Sequence, residues 1–213
     1  MSGSPVCLDY NATTPVSPEV LDAMLPWLRE GFGNPSSGHR LGMEAARAVR
    51  KARCQVAEAI GASPEEIVFT SGGSESNNMA IKGVFLAPDG FLAGRLAVSA
   101  FEHPATEEPA RYLEALGVGV DRIPCGPDGV VGAGAVEAAM SEDTRLVSIM
   151  HSNNELGTVQ PVREIAALCR ARGVLFHTDA SQSIGKVPVD VGTLGADMLT
   201  VAGHKLYAPK GVG

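Results

Sequence analysis

Short apolar runs alternate with longer amphipathic stretches along most of this 213-residue chain. The runs at 67–70, 96–99, 118–120, 146–150, 174–177 and 198–201 are rich in Val, Ile, Leu and Met, as strands buried on both faces are. Between them the patterning predicts helices at 74–86, 104–116, 134–140 and 161–172. Two further helices precede the first run. Ser17-Pro18-Glu19 places a capping hydroxyl, an N-terminal proline and an acid in the order that opens a helix. Its apolar face is Val20, Leu21, Met24, Leu25 and Leu28, Pro26 should bend it, and Gly31 should end it. Leu41, Ala45, Val49, Ala52, Val56 and Ile60 recur at helical spacing up to a C-terminal stop at Gly61. Strands separated by helices predict an α/β fold: a three-layer sandwich with a largely parallel central sheet.

Polar clusters follow the apolar runs. They are Thr70-Ser71-Gly72-Gly73-Ser74-Glu75, Phe101-Glu102-His103, His151-Ser152-Asn153-Asn154-Glu155, Asp179-Ala180-Ser181-Gln182 and Gly203-His204-Lys205. Ligands of open α/β sheets bind at the carboxyl ends of the strands, so this repetition points to an enzyme.

The clusters narrow the chemistry. A glycine loop entering a helix offers free N–H groups to a phosphate. No Lys-Ser/Thr pair follows its glycines, and no GxGxxG occurs, so neither a Walker loop nor a dinucleotide fingerprint is present. Asp179 could hold a cationic ring nitrogen. Lys205, flanked by Gly203 and His204 past an apolar run, could be desolvated and nucleophilic. His103 could stack on a flat ring. A phosphate cradle, a carboxylate for a pyridinium and a Schiff-base lysine are what pyridoxal 5′-phosphate requires. His151 and His177 read as polar lining of the same crevice. The five histidines lack metal-site spacing, no metal site is expected, and no GxSxG elbow marks a hydrolase.

Composition and charge remove other classes. With 17 Lys+Arg against 24 Asp+Glu the net charge is −7, which argues against a nucleic-acid partner. No apolar run approaches the roughly 18–20 residues of a membrane span, and residues 1–8 lack the basic-then-apolar pattern of a secretory leader. Cys7, Cys54, Cys125 and Cys169 form no CxxC, so disulfides and structural zinc are not expected, and a cytoplasmic location is.

In this order, Leu8-Asp9-Tyr10-Asn11-Ala12-Thr13-Thr14-Pro15, Gly33-Asn34-Pro35-Ser36-Ser37, the segment 69–78, Glu102-His103, the segment 153–157, His177-Thr178-Asp179-Ala180-Ser181-Gln182 and Gly203-His204-Lys205 resemble the cysteine desulfurases of the class V aminotransferase family. The resemblance implies the large domain of a pyridoxal-phosphate-dependent transferase. It implies that Lys205 is the lysine joined to the cofactor and that His103 stacks on the ring and shuttles protons. Asp179 would pair with the ring nitrogen, and Gln182 would bond the ring hydroxyl. Gly73, Ser74 and His204, with the adjoining Ala202 and Gly203, would form the phosphate end. Asn154 would contact ring and substrate, and Asn11, Ala12 and Thr13 would line the substrate entrance. The implied substrate is L-cysteine, or selenocysteine. The implied products are L-alanine and a persulfide passed to a sulfur-acceptor protein such as an iron–sulfur scaffold, and the implied assembly is a homodimer.

Two departures bear on this. The family usually carries Ser or Thr at the position of Ala202, and selenocysteine lyases also lack that hydroxyl. Family members also continue well past a lysine motif like this one. Residues 1–213 are therefore expected to be the N-terminal segment and most of the large domain. The C-terminal small domain and the catalytic-cysteine loop would be absent, making the chain truncated. The competing expectations are a selenocysteine lyase, another class V lyase or aminotransferase, and a non-catalytic remnant that binds cofactor or partner.

Overall fold

Five parallel strands form the centre of the computed structural model, which describes residues 6–87, 90–91 and 93–213. Helices α1 (Pro18–Arg29) and α2 (Arg40–Ile60) come first, then α3 (Gly73–Phe85) and a minimal hairpin, β1 (Leu86–Ala87) with β2 (Gly90–Phe91). The rest alternates: β3 (Arg95–Ser99), α4 (Pro104–Ala115), β4 (Gly119–Ile123), α5 (Ala133–Ala139), β5 (Thr144–Ser148), α6 (Val162–Ala171), β6 (Leu175–Asp179), α7 (Val191–Leu194) and β7 (Met198–Thr200). The sheet order is β4-β3-β5-β6-β7, every neighbouring pair parallel.

Side-chain alternation along the strands divides the core between two faces. On one face Leu96, Val98 and Leu146 meet Ile81 and Phe85 of α3 and Ala110 and Leu113 of α4. On the other Ala97, Val147, Ile149 and Phe176 meet Val136 of α5, Ile165, Ala166 and Cys169 of α6, and Ala57 and Ile60 of α2. Helices on both faces of one sheet make the expected three layers.

Local signals explain the helix ends. The Ser17 side chain accepts from the Val20 N–H at 3.2 Å, with Pro18 in the first turn. The helix then runs past Pro26 to Arg29 and buries no residue. The C-cap of α2 is Gly61 at φ 68°, where a Cβ would lie 2.0 Å from an Asp190 carboxylate oxygen. Only glycine tolerates both the dihedral and the approach.

One expected strand does not form. Residues 67–70 lie outside the sheet, although Thr70 and Gly213 exchange reciprocal backbone bonds of 2.8 and 3.0 Å. A single bridging pair is not a ladder, and Val68 stands 56% exposed. An apolar run marks burial only where a neighbouring strand or helix covers it. The other strands and helices lie within a few residues of their expected positions, β4 shifting furthest, to Gly119–Ile123. All four cysteines are free thiols. No described helix is long and apolar enough to cross a membrane.

The two-faced core sets a stability contrast on β6. Phe176 is fully buried, whereas its neighbour Leu175 is 42% exposed. Phe176→Ala should cost about 3–5 kcal/mol. Leu175→Ala should cost less than about 1 kcal/mol. Urea unfolding of both variants measures the difference; equal costs would contradict the assignment of faces.

Candidate active site

The connections after β3, β5, β6 and β7, the glycine loop before α3 and the N-terminal segment converge at the carboxyl edge of the sheet. The cleft between them holds about 520 Å³. Ala12, Thr13, Gly73, Ser74, His103, Asn154, Asp179, Gln182, Ala202, His204 and Lys205 all line it. Two of the expected site residues do not. The Asn11 main chain instead serves as an acceptor behind the wall. Gly203 packs against Val212, where a Cβ would lie 2.7 Å from a side-chain carbon.

The glycine loop forms the mouth of α3. Gly72 is its N-cap at φ 152°, a left-handed conformation, and brings no side chain to satisfy the first N–H groups. Thr70 Oγ1 lies 2.7 Å from Ser76 Oγ, which ties the loop to the helix. Exposed N–H groups at a positive helix end suit an anion. Lys205, Lys210 and His204 share this cleft.

Asp179 ends β6 and is 8% exposed. One carboxylate oxygen accepts from Asn77 Nδ2 at 2.7 Å, the other from the Ser181 N–H at 2.9 Å. Asn77 is fully buried on α3. The sequence marked it only within the segment 69–78, without a role; it continues the stripe through Ile81 and Phe85.

Lys205 closes a 3-10 turn after β7. Its Nζ donates to the Ala12 carbonyl at 2.9 Å and to the Asn11 carbonyl. Gln182 Nε2 donates to that same Asn11 carbonyl at 2.8 Å, and Lys186 Nζ donates to Gln182 Oε1 at 2.6 Å. Burial, and next the Lys186 charge, hold the Lys205 amine below its ordinary value. Thr14 completes the docking of this segment: its N–H and hydroxyl both donate to the His204 carbonyl at 2.9 Å, and its hydroxyl accepts from the Tyr207 N–H at 2.8 Å. Tyr207, at φ 59°, is the one described non-glycine residue with positive φ.

His103 caps α4, its Nδ1 accepting from the Ala105 N–H at 3.1 Å, and its ring is exposed at the cleft. A ring whose Nδ1 accepts carries its proton on Nε2 when neutral. His151 and His177, expected to line the crevice, lie buried outside its lining. His177 joins the strands, bonded to Ser148 at 2.8 Å and to Thr200 at 3.1 Å. Burial pushes it down to about 4. The pleat of β6 turns His177 inward, whereas His151 lies in the connection after β5, buried with its Nδ1 unpartnered among the described residues. His204 is held below its ordinary value by burial and then by the Lys205 charge.

Glu102 was not expected. Its carboxyl is enclosed and accepts from the Met150 N–H at 2.7 Å and from the Ser99 hydroxyl, while its Oε2 has no partner among the described residues. Burial pushes it up to about 8, with the Asp179 charge adding to the rise. Among the described residues no cluster of His, Cys, Asp and Glu could hold a metal.

Comparison with known proteins is consistent across sequence and structure. The class V aminotransferase family model matches residues 6–213. The chain is 48% identical over 208 residues to a cysteine desulfurase IscS of Dictyoglomus turgidum, covering 98% of this chain and 52% of that protein. It is 50% identical over 214 residues to a mitosomal cysteine desulfurase of Encephalitozoon cuniculi, covering 99% and 49%. The chain thus spans about half the length of the curated relatives it matches. A solved structure described as SspA in complex with cysteine superposes with a TM-score of 0.92 at 43% identity, covering 96% of this chain and 59% of that one.

The buried carboxyl makes stability depend on pH. A carboxyl raised to about 8 binds its proton on folding, so its contribution is present in acid and lost as pH rises towards 8. His177, lowered to about 4, acts oppositely, and its contribution is lost as pH falls below its ordinary value of 6.5. Between about pH 6.5 and 8 Glu102 is therefore the buried group in control. Wild-type stability should fall there by up to about 1.4 kcal/mol per pH unit, and Glu102→Gln should flatten the profile. Urea unfolding across this range decides it; parallel profiles would show that the carboxyl folds ionised.

Proposed function

The chain belongs to the class V aminotransferase family, and on that premise we propose that it binds pyridoxal 5′-phosphate and carries the cofactor site of a cysteine desulfurase. The observation that supports this best is the meeting of Lys205, Asp179, His103 and the mouth of α3 around one cleft. The residues fit the group: a helix end without a capping side chain for the phosphate, a doubly anchored carboxylate for the ring nitrogen, and an amine of lowered basicity for the aldehyde.

When bound, the cofactor supplies an electron sink for the substrate α-carbon. Asp179 holds the proton on the ring nitrogen, since its negative charge favours the charged ring. Asn77 and the Ser181 N–H keep that carboxylate in place. Lys205 Nζ would hold the aldehyde end of the cofactor, and it is the amine that would accept a proton from the substrate α-carbon. Its lowered basicity raises the fraction of neutral amine available near neutral pH. His103, at the start of α4, would cover the ring, and its Nε2, which carries the proton when the imidazole is neutral, would serve as the donor. Gln182 orients the ring hydroxyl, Asn154 the ring and substrate, and Gly73, Ser74 and His204 the phosphate. The Asn11–Thr13 segment borders the entrance.

The reaction we assign is removal of sulfur from L-cysteine to give L-alanine, with the sulfur leaving as a persulfide for an acceptor protein such as an iron–sulfur scaffold. None of Cys7, Cys54, Cys125 and Cys169 lines the cleft, and no sulfur-accepting role is assigned to any of them. In this reading residues 1–213 form the N-terminal segment and most of the cofactor-binding large domain. A homodimer is supported by Leu21, Trp27, Leu28 and Phe32, which leave apolar surface exposed along and just after α1. Unpaired thiols suit a cytoplasmic location. Ala202, which offers no hydroxyl, favours selenocysteine lyase as the second reading.

Borohydride reduction tests the assignment. Protein incubated with pyridoxal 5′-phosphate should turn yellow, and the reduced adduct should map to the peptide containing Lys205. Lys205→Ala should lower the fixed adduct to background. An adduct that persists elsewhere in the Lys205→Ala protein would refute it. Colour with alanine released from cysteine supports the desulfurase, whereas a strong preference for selenocysteine supports the second reading.

A further inference from the structure

Ser181 sits two residues beyond Asp179 on the cleft wall. Its backbone is fixed, because its N–H donates to Asp179 Oδ1 at 2.9 Å. Its hydroxyl makes no hydrogen bond to protein among the described residues. Three other hydroxyls nearby are committed, Ser152 to Ser183 at 2.6 Å, Thr200 to His177 at 3.1 Å and Thr13 to His204 at 3.2 Å, while Ser74, on α3 itself, lines the cleft with its hydroxyl also free of protein partners among the described residues.

The space beside Gly73 shows where this free hydroxyl lies. A Cβ built on Gly73 would stand 3.3 Å from Ala202 Cβ and 3.4 Å from Ser181 Oγ. The Ala202 methyl and the Ser181 hydroxyl thus border the same point at the opening turn of α3. That turn presents the positive helix end, and Lys205, Lys210 and His204 add to the basic side of the cleft. The methyl can donate nothing there; the hydroxyl can.

We propose that Ser181 is a phosphate-binding residue, its hydroxyl donating to the cofactor phosphate beside the Ala202 methyl and supplying the bond that residue 202 cannot. This rests on the pyridoxal-phosphate reading above. It makes the short segment 179–182 serve both ends of the cofactor: the carboxylate of Asp179 takes the ring nitrogen, and Ser181 reaches the phosphate. It also makes positions 181 and 202 exchangeable suppliers of one hydroxyl.

Equilibrium binding to the cofactor-free protein tests this, without reference to turnover. Pyridoxal 5′-phosphate and pyridoxal, which lacks the phosphate, are titrated against wild type, Ser181→Ala, and Ser181→Ala combined with Ala202→Ser. Occupancy is read from borohydride-fixed adduct at Lys205. Ser181→Ala should weaken binding of the phosphate ester roughly tenfold, the scale of one hydrogen bond to a charged group. Pyridoxal binding should stay within about twofold. Adding Ala202→Ser should restore most of the loss. Equal binding of the ester by wild type and Ser181→Ala overturns the proposal. So does an equal loss of both ligands, or a lowered melting temperature with the ester-to-pyridoxal ratio unchanged, which is the result expected of a hydroxyl that only caps α3. Wild-type protein that fixes no cofactor at Lys205 overturns the underlying reading, and this proposal with it.

Discussion

A carboxylate almost out of reach of solvent must be held by donors, or its charge is costly. Asp179 meets that condition with two of them. Asn77 reaches across from α3, and the Ser181 N–H turns back from the chain that follows. The first bond couples a helix on one face of the sheet to the end of a central strand. The second fixes the turn carrying Ser181 and Gln182. Each donor restrains one carboxylate oxygen, while Gln182 in the same turn is held separately by the Asn11 carbonyl and Lys186. The arrangement of the cleft follows from this one anchored group.

Around it the fold supplies position rather than flexibility. Parallel strands send every strand-to-helix connection to the same edge, so residues far apart in sequence arrive together. His103 comes from the connection after β3, Asn154 from that after β5, Asp179 from the end of β6 and Lys205 from the turn after β7. The N-terminal segment is the exception, since it lies outside the sheet. It is kept at the edge by Thr14, which bonds both His204 and Tyr207. Those bonds also explain how Tyr207 keeps a left-handed backbone that a bulky residue ordinarily avoids.

Most of this was legible from residue patterning. Alternating apolar and amphipathic segments gave the layers and the parallel sheet, because burial on both faces leaves a mark in composition. Residues 67–70 misled for the same reason: their apolar character is real, but their backbone finds only Gly213 as a bridging partner. At the cleft, Lys205, His103 and Asp179 stood out because chemistry of that kind is rarely clustered by chance. Asn77, Glu102 and Ser181 lay within the singled-out segments but carried no assigned role, since each acts through something folding alone creates: a neighbouring helix, an enclosing shell, a shared point in space. The reverse holds for His151 and His177. Their residue type invited a functional reading, but the pleat of β6 turned His177 inward and the connection after β5 buried His151.

The two carbonyls that receive Lys205 have a stereochemical corollary. A primary amine has three tetrahedral directions beyond its carbon, and Asn11 and Ala12 take two of them as acceptors. A protonated nitrogen fills the third direction with hydrogen; a neutral one fills it with a lone pair. Losing that proton leaves both carbonyl bonds intact, so the nucleophile is unmasked without any side chain having to move first.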